Sequence, residues 1–412
     1  MTRQRLAAVD AQTFWMSTKI PNDQLLLYRF DGAPTDFDAA LAQVRARAAG
    51  VAPLCLRLDD HRRRDYPAWV PRPVGDDQFV VHDAVPTWTA CLDAVAALTL
   101  DPLDVRTAAW RLHLFPRVDT GVVAVLQISH ALGDGIRASA LAARLFGRDA
   151  AVPGVAAVPW YRPATLPWRA VRAARAHRAL VRDTAAGAVP PPAPSRPVLR
   201  TNTRPAGRRA VRVLTRRRAE LDGPTVTVAV LAAIAEALAG HLAAAGDDPS
   251  ELGAEVPMAR PGARRAANHF GNVGIGLHPG LPRAARMGAI AAELAARRRR
   301  AAHPAVRAEA DALAAVPAPL LRWGVHRFDA DARAVTVTGN TVVSSVNRGA
   351  ADLRLGDAPV AVTAGFPALS PMMGLTHGVH GIGDTVAISV HAAESAIGDL
   401  DAYLSRVDRA LG

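Results

Sequence analysis

Apolar and polar positions along the 412-residue chain switch repeatedly between two periods. A spacing near 3.6 predicts helices over residues 36–49, 135–145, 225–246 and 287–302. Short runs rich in β-branched residues predict strands over 78–82, 122–129, 334–346 and 384–391. Helical and strand patterns that alternate in this way indicate an α/β class. The second half repeats the mixture of the first without a detectable sequence repeat.

Between 151 and 199 the composition shifts to Ala, Pro and Arg, and Val189-Pro190-Pro191-Pro192-Ala193-Pro194 is the clearest linker. This predicts an N-terminal subdomain over 1–150, a linker over 151–199 and a C-terminal subdomain over 200–412, within a length that suits two or three domains. Inside the linker, Trp168, Val171 and Leu180 are interleaved with Arg169, Arg172, Arg175, Arg178 and Arg182. The pattern over 165–182 is that of a basic amphipathic helix, which either packs on its own domain with a solvated arginine face or rests on a lipid surface.

Composition narrows the class. Half of the residues are apolar and the charged fraction is ordinary, which excludes disordered, collagenous and disulfide-rich chains. No run of about 18 uncharged apolar residues appears. The most apolar segment, 228–246, is interrupted by Glu236 and His241 and reads as a core helix. The opening Met1-Thr2-Arg3-Gln4-Arg5-Leu6 lacks the apolar stretch of a secretory signal, so the expected location is the cytoplasm, peripheral at the inner face of the membrane if 165–182 meets lipid. Two cysteines, Cys55 and Cys91, are too few for a disulfide framework or a thiolate zinc site and are expected in the core. The net charge of +12 comes almost entirely from arginine, Lys19 being the one lysine. Basic runs such as Arg297-Arg298-Arg299-Arg300 carry no interleaved aromatics to stack on bases, so nucleic acid is not an expected partner.

One segment carries chemistry. The apolar strand Val122 to Ile128 runs into Ser129-His130-Ala131-Leu132-Gly133-Asp134-Gly135 and then a helix. A histidine at the end of a buried strand is held rigidly, and its unperturbed pKa of about 6.5 suits it to take a proton from an alcohol or amine near neutrality. Asp134, beside the start of the next helix, suits an organising role, since a carboxylate there gains from the free amides and the helix dipole. The bland alternative is a satisfied histidine and an ordinary helix cap.

These residues resemble the His-x-x-x-Asp-Gly acyltransferase superfamily, which includes chloramphenicol acetyltransferase and the condensation domains of peptide synthetases. Within it the chain looks like the bacterial wax ester synthase/diacylglycerol acyltransferase family. Trp110-Arg111-Leu112-His113-Leu114 is similar to that family's segment upstream of the motif, and Leu6 to Trp15 to its start. Val256-Pro257-Met258, Phe270-Gly271-Asn272, Ser370-Pro371 and Ile388 to Ala392 are similar to later segments, so the resemblance spans nearly the whole chain. Three positions depart from it. Ser129 replaces the first histidine of the motif, Thr227-Val228 stands where Asn-Asp is usual, and Ser344-Ser345-Val346-Asn347-Arg348-Gly349 replaces an Asn-Val-Pro-Gly stretch.

The resemblance implies two chloramphenicol-acetyltransferase-like halves meeting along a channel, with acyl-CoA or a carrier thioester as co-substrate and no bound cofactor. His130 would deprotonate the acceptor, a long-chain alcohol, a diacylglycerol, or a hydroxyl or amine of a specialised metabolite, for direct attack on the thioester. Asn272 is the first candidate to hold the oxyanion, with Ser345 and Asn347 next. Ser129, Gly135, Trp110 and His377 are expected along the channel, and Arg57, on the strand after the first helix, is the expected ion-pair partner of Asp134. His377 and His380 stand three apart on a strand and so face opposite ways, which argues against a shared metal. A member of the fold that has lost catalysis and only binds is the competing reading. The joint presence of His130, Asp134 and Gly135 argues against it.

Overall fold

Two six-stranded sheets organise the chain. The computed structural model describes residues 3–159 and 161–412, and Met1, Thr2 and Trp160 lie outside the described residues. In the first sheet the order is β14 (Arg354–Leu355), β15 (Ala358–Phe366), β2 (Gln24–Phe30), β7 (Gly121–Ile128), β6 (Trp110–Val118) and β5 (Phe79–Val81). In the second it is β11 (Phe270–Gly276), β10 (Gly253–Ala259), β13 (Thr341–Asn347), β16 (Leu375–Ile382), β17 (Thr385–Ala393) and β9 (Arg209–Arg217). A small sheet joins β1 (Gln4–Arg5), β4 (Ala68–Pro71) and β3 (Leu56–Asp59), and β8 (Arg196–Pro197) pairs with β12 (Thr336–Val337).

The helices are α1 (Ala8–Ser17), α2 (Phe37–Gly50), α3 (Trp88–Leu98), α4 (Gly135–Leu145), α5 (Leu166–Ala185), α6 (Val226–Ala244), α7 (Arg283–Ala301), α8 (Pro304–Leu313), α9 (Ala318–Arg327) and α10 (Leu400–Leu411). The expected helices and strands are present, with shifts at their ends that local chemistry explains. Asp36 and Thr225 are caps rather than helical residues, because their side chains accept the amides of Ala39 at 2.8 Å and Val228 at 3.2 Å.

Central strands bury both faces, and this is why they read as continuous apolar runs. On β2, Leu26, Tyr28 and Phe30 join the core with α4's Leu141 and with Phe146, while Leu25 and Leu27 face the other way into a cluster with Phe115, Val125, Ala364 and Val211. Since Val211 belongs to the second sheet, that cluster cements the two halves, each large side chain contributing about 1.5–3 kcal/mol. The second half has its own core around α6, whose composition and length alone would also suit a membrane span, but which is mostly buried against the second sheet, α7 and α10.

The division drawn from composition is crossed by a hairpin and by α9, whose Ala318 and Val325 join the core of the first half. Strands β14 and β15 follow β13 in the chain but join the first sheet, β15 pairing antiparallel with β2 so that Ala364 lies opposite Leu27. Composition follows chain order and carries no trace of which sheet edge a strand completes. The expected linker contains the 20-residue helix α5, which packs on α8 with Leu180 as its one buried side chain and Trp168 61% exposed. Cys91 is buried as expected, whereas Cys55 is half-buried and points its thiol at the carbonyls of Ala48 and Ala49.

Candidate active site

His130 follows the end of β7 in a turn that the next glycine makes possible. The side chain of Arg137 lies across Gly133 so closely that a Cβ there would sit 2.7 Å from Arg137 Cδ, and Gln24 Nε2 donates to the Gly133 carbonyl at 2.6 Å. A side chain here would crowd Arg137, so glycine suits the turn that leads from His130 into α4.

The ring is held by a residue from the other half. Nδ1 of His130 lies 2.9 Å from Oδ1 of Asn268, whose Nδ2 donates to the His130 carbonyl at 2.7 Å and to Oδ1 of Asp10 at 2.9 Å. Because both N–H groups of that amide face acceptors, its oxygen must face the ring, and Nδ1 therefore carries the proton. Nε2 is left as the basic nitrogen, with no hydrogen-bond partner among the described residues. Asp10 also accepts the amides of Ala267 and Asn268, both at 2.8 Å. Burial raises the Asp10 pKa to about 6 against those three hydrogen bonds. Burial lowers that of His130 below 6.5, the Asn268 bond opposing it, so the imidazole is neutral at pH 7.

Asp134 caps α4 by accepting the Arg137 amide at 3.1 Å, as an organiser should, but its ion-pair partner is not Arg57. Arg264 makes both contacts, Nη1 to Oδ2 at 2.8 Å and Nη2 to Oδ1 at 3.2 Å, and the His269 amide donates to the same carboxylate at 2.9 Å. Arg57 instead lies opposite Val70 in the small sheet. The pair is 12% and 6% exposed. Burial alone would raise the Asp134 pKa, yet Arg264 and the two amides more than offset it and hold the carboxyl below its ordinary 3.8. Asp10 and Asp134 thus grip the β10–β11 connection from two sides and seat Asn268 against His130.

A channel of about 700 Å³ runs between the halves, lined by His130, Asp134, Gly135 and Gln24 from the first and by Glu255, Phe270, Asn272 and Ser345 from the second. Of the oxyanion candidates, Asn272 donates from Nδ2 to Glu255 at 3.2 Å and Ser345 Oγ lies 2.9 Å from Thr227 Oγ1. Asn347 is turned away, its Oδ1 accepting the Gly349 amide at 3.0 Å. Ser129 is buried behind the turn with its hydroxyl accepting the Ala131 amide, and Trp110 is core, its indole donating to the Leu54 carbonyl. His377 faces the second core between Thr341 Oγ1 and Tyr403 Oη, both at 2.8 Å, and it is His380 that lines the channel. The alternation expected of the strand holds, with the channel histidine the other of the two. Among the described residues no cluster of three or more His, Cys, Asp or Glu could hold a metal.

Sequence reasoning missed Asn268, Asp10 and Arg264. Asp10 did leave a signal, as the one charge between Leu6 and Thr18. Replacing Asn268 with Ala removes one hydrogen bond to the ring, worth about 1–1.5 kcal/mol, and should lower kcat about tenfold. Because that bond raises the His130 pKa, its loss should also move the acid limb of the rate profile to lower pH. An unmoved limb in a folded variant would show that Asn268 does not act on the ring.

Residues 267–412 match the family model WS/DGAT C-terminal domain. No curated protein matches the chain. Among solved structures, the wax ester synthase/diacylglycerol acyltransferase from Marinobacter aquaeolei VT8 superposes with a TM-score of 0.65 at 20% identity, over 99% of this chain and 98% of that one. A variant of the starter condensation domain of rhizomide synthetase in complex with C8-CoA gives 0.56 at 17% identity, over 99% and 94%. A second variant, in complex with C8-CoA and Leu-SNAC, gives 0.54 at 16%, over 100% and 93%. The fold is therefore the two-half α/β architecture of chloramphenicol-acetyltransferase-like proteins.

Proposed function

We propose, on the premise that residues 267–412 are a WS/DGAT C-terminal domain carried on a whole-chain WS/DGAT-like acyltransferase fold, that this protein moves an acyl group from acyl-CoA to a hydroxyl acceptor with His130 as general base. The observation that carries this reading is the lock of His130 Nδ1–H on Asn268, which leaves an unprotonated Nε2 at a channel wall. The acceptor hydroxyl gives its proton to Nε2, its oxygen attacks the thioester carbonyl, and the imidazolium returns the proton to the departing thiolate. Asn272 and Ser345, both in the channel, are the donors available to the oxyanion.

A second reading keeps the chemistry and changes the acceptor to a polar metabolite. It is favoured by the side chains of Glu255, Arg348 and His380 along the channel, which a wholly apolar acceptor would leave unmatched. Purified protein incubated with acyl-CoAs of several chain lengths and a panel of alcohols, diacylglycerols and hydroxylated or amino metabolites should release free thiol in an acceptor-dependent way. Release that does not depend on any acceptor would count against transfer.

A further inference from the structure

The stretch that departs from the Asn-Val-Pro-Gly pattern places a buried cation in the channel wall. Arg348, 5% exposed, follows directly on β13, and its backbone is fixed by Arg348 N donating to the Gly381 carbonyl at 2.8 Å and by Arg148 Nη1 donating to the Arg348 carbonyl at 2.7 Å. Its guanidinium stacks 5.0 Å from the Tyr28 ring centroid, and Nη1 donates to Thr363 Oγ1 and to the Leu27 carbonyl. None of these partners is an anion, and Nε is buried without one. A cation taken out of water in this way is costly unless something negative meets it.

A second polar group converges on the same part of the wall. His380 is also 5% exposed and has no hydrogen-bond partner among the described residues for its buried Nδ1. A Cβ added at Gly365 would lie 2.9 Å from His380 Nε2 and 3.0 Å from Arg348 Nη2, so the absence of a side chain there is what lets both nitrogens come together at one place in the wall. All three residues line the channel that His130 lines. The place is near the reaction centre, since Val346, two residues before Arg348, is the side chain nearest to a Cβ on Gly135, at 3.4 Å. Glu255 does not supply the missing charge. It lies next to Val342 in register, six residues back along β13, which is about 20 Å at ~3.3 Å per residue.

We propose that Arg348 and His380 form an anion subsite of the channel that receives a carboxylate carried by one of the two substrates. This rests on the acyl-transfer reading for its role, though not for its binding chemistry. One guanidinium and one neutral imidazole balance a single negative charge, whereas a phosphate dianion would keep one charge unmatched. The carboxylate comes from the far end of a dicarboxylic acyl chain or from a hydroxy acid acceptor.

Binding tests the subsite apart from turnover. Titration calorimetry with octanoate and with octan-1-ol should show the carboxylate bound at least tenfold more tightly by the wild-type protein and by His130→Ala. Arg348→Gln should erase that preference, and Gly365→Ala, which crowds both nitrogens apart and keeps the charge, should erase it too. Equal affinities in the wild type, or a preference that survives either substitution in a folded protein, would overturn the subsite. Two turnover pairs then identify the source: succinyl-CoA against butyryl-CoA with one alcohol, and a hydroxy acid against its methyl ester with one acyl-CoA. Arg348→Gln should lower kcat/KM for the charged member of one pair tenfold or more relative to its neutral partner, and an unaltered ratio in both pairs would also overturn the proposal. A binding preference without turnover of any pair would sink the acyl-transfer reading and leave the subsite standing.

Discussion

His130→Ala is expected to reduce acyl transfer by a factor of about 10² to 10⁴, the usual contribution of a positioned acid–base group, with secondary structure unchanged. The ring is half-buried at the channel wall, so its removal opens space toward solvent rather than a sealed cavity in a core. The loss should appear in kcat more than in KM, because in the proposed role the imidazole acts on a proton in flight and contributes little to holding either substrate. On the proposed mechanism, the channel and the proposed oxyanion donors Asn272 and Ser345 account for whatever rate survives. The pH dependence gives an independent check. The His130 pKa is lowered from 6.5, so the wild-type profile should be flat at neutrality and fall only below that value. Protonation of Asp10 near pH 6 adds to the fall by loosening its grip on Asn268. Measured turnover of His130→Ala equal to wild type, with any substrate the wild type accepts, would remove this residue from the mechanism.

What the sequence made legible is what local pattern determines. A β-branched run that stops at a turn glycine is enough to place His130 at a strand end, and a cap in front of an amphipathic helix is enough to place Asp134. Their partners were not legible, because they depend on which loop docks against which. Asn268 is 138 residues from His130, in a connection whose residues carry no period. Arginine was a poor guide for a different reason. Forty-nine of the residues are Lys or Arg, so many guanidiniums compete for one carboxylate, and the family resemblance favoured Arg57, on the strand after the first helix, whereas the β10–β11 connection brings Arg264.

The same limit explains the channel. Strand alternation correctly set His377 and His380 on opposite faces, but which face met the first half depended on β15 leaving its own half and lying against β2. Nothing in the pattern of 358–366 distinguishes that edge from another. Trp110 and Ser129 show the converse: residues adjacent to a motif in sequence need not share its cavity, since β6 turns the indole into the core and the turn folds the hydroxyl onto the Ala131 amide.

The Asp134–Arg264 pair should carry the largest stability effect. Both side chains are nearly out of water, so either Asp134→Asn or Arg264→Gln leaves a charge without its counterpart and should cost about 3–5 kcal/mol in denaturant unfolding. Loss of a helix cap alone would cost about 1 kcal/mol and would leave Arg264 free to change. The double variant separates the two accounts, because a true pair costs less when both members go than the two single losses together, with a coupling of roughly 0.5–3 kcal/mol. The pH dependence has a fixed sign. The folded Asp134 carboxyl titrates below 3.8, so the stabilisation is full above that value and is lost as the pH falls through the folded pKa. The pair also links the two halves of the site, since Arg264 Nη1 bonds the Ala267 carbonyl at 2.6 Å and the His269 amide bonds Asp134, one on each side of Asn268. Either single variant should therefore lose kcat as well as stability, as Asn268 drifts from the ring it orients. Additive unfolding costs in the double-mutant cycle, or a folded Arg264→Gln enzyme with undiminished kcat, would show that the arginine does not hold the catalytic loop.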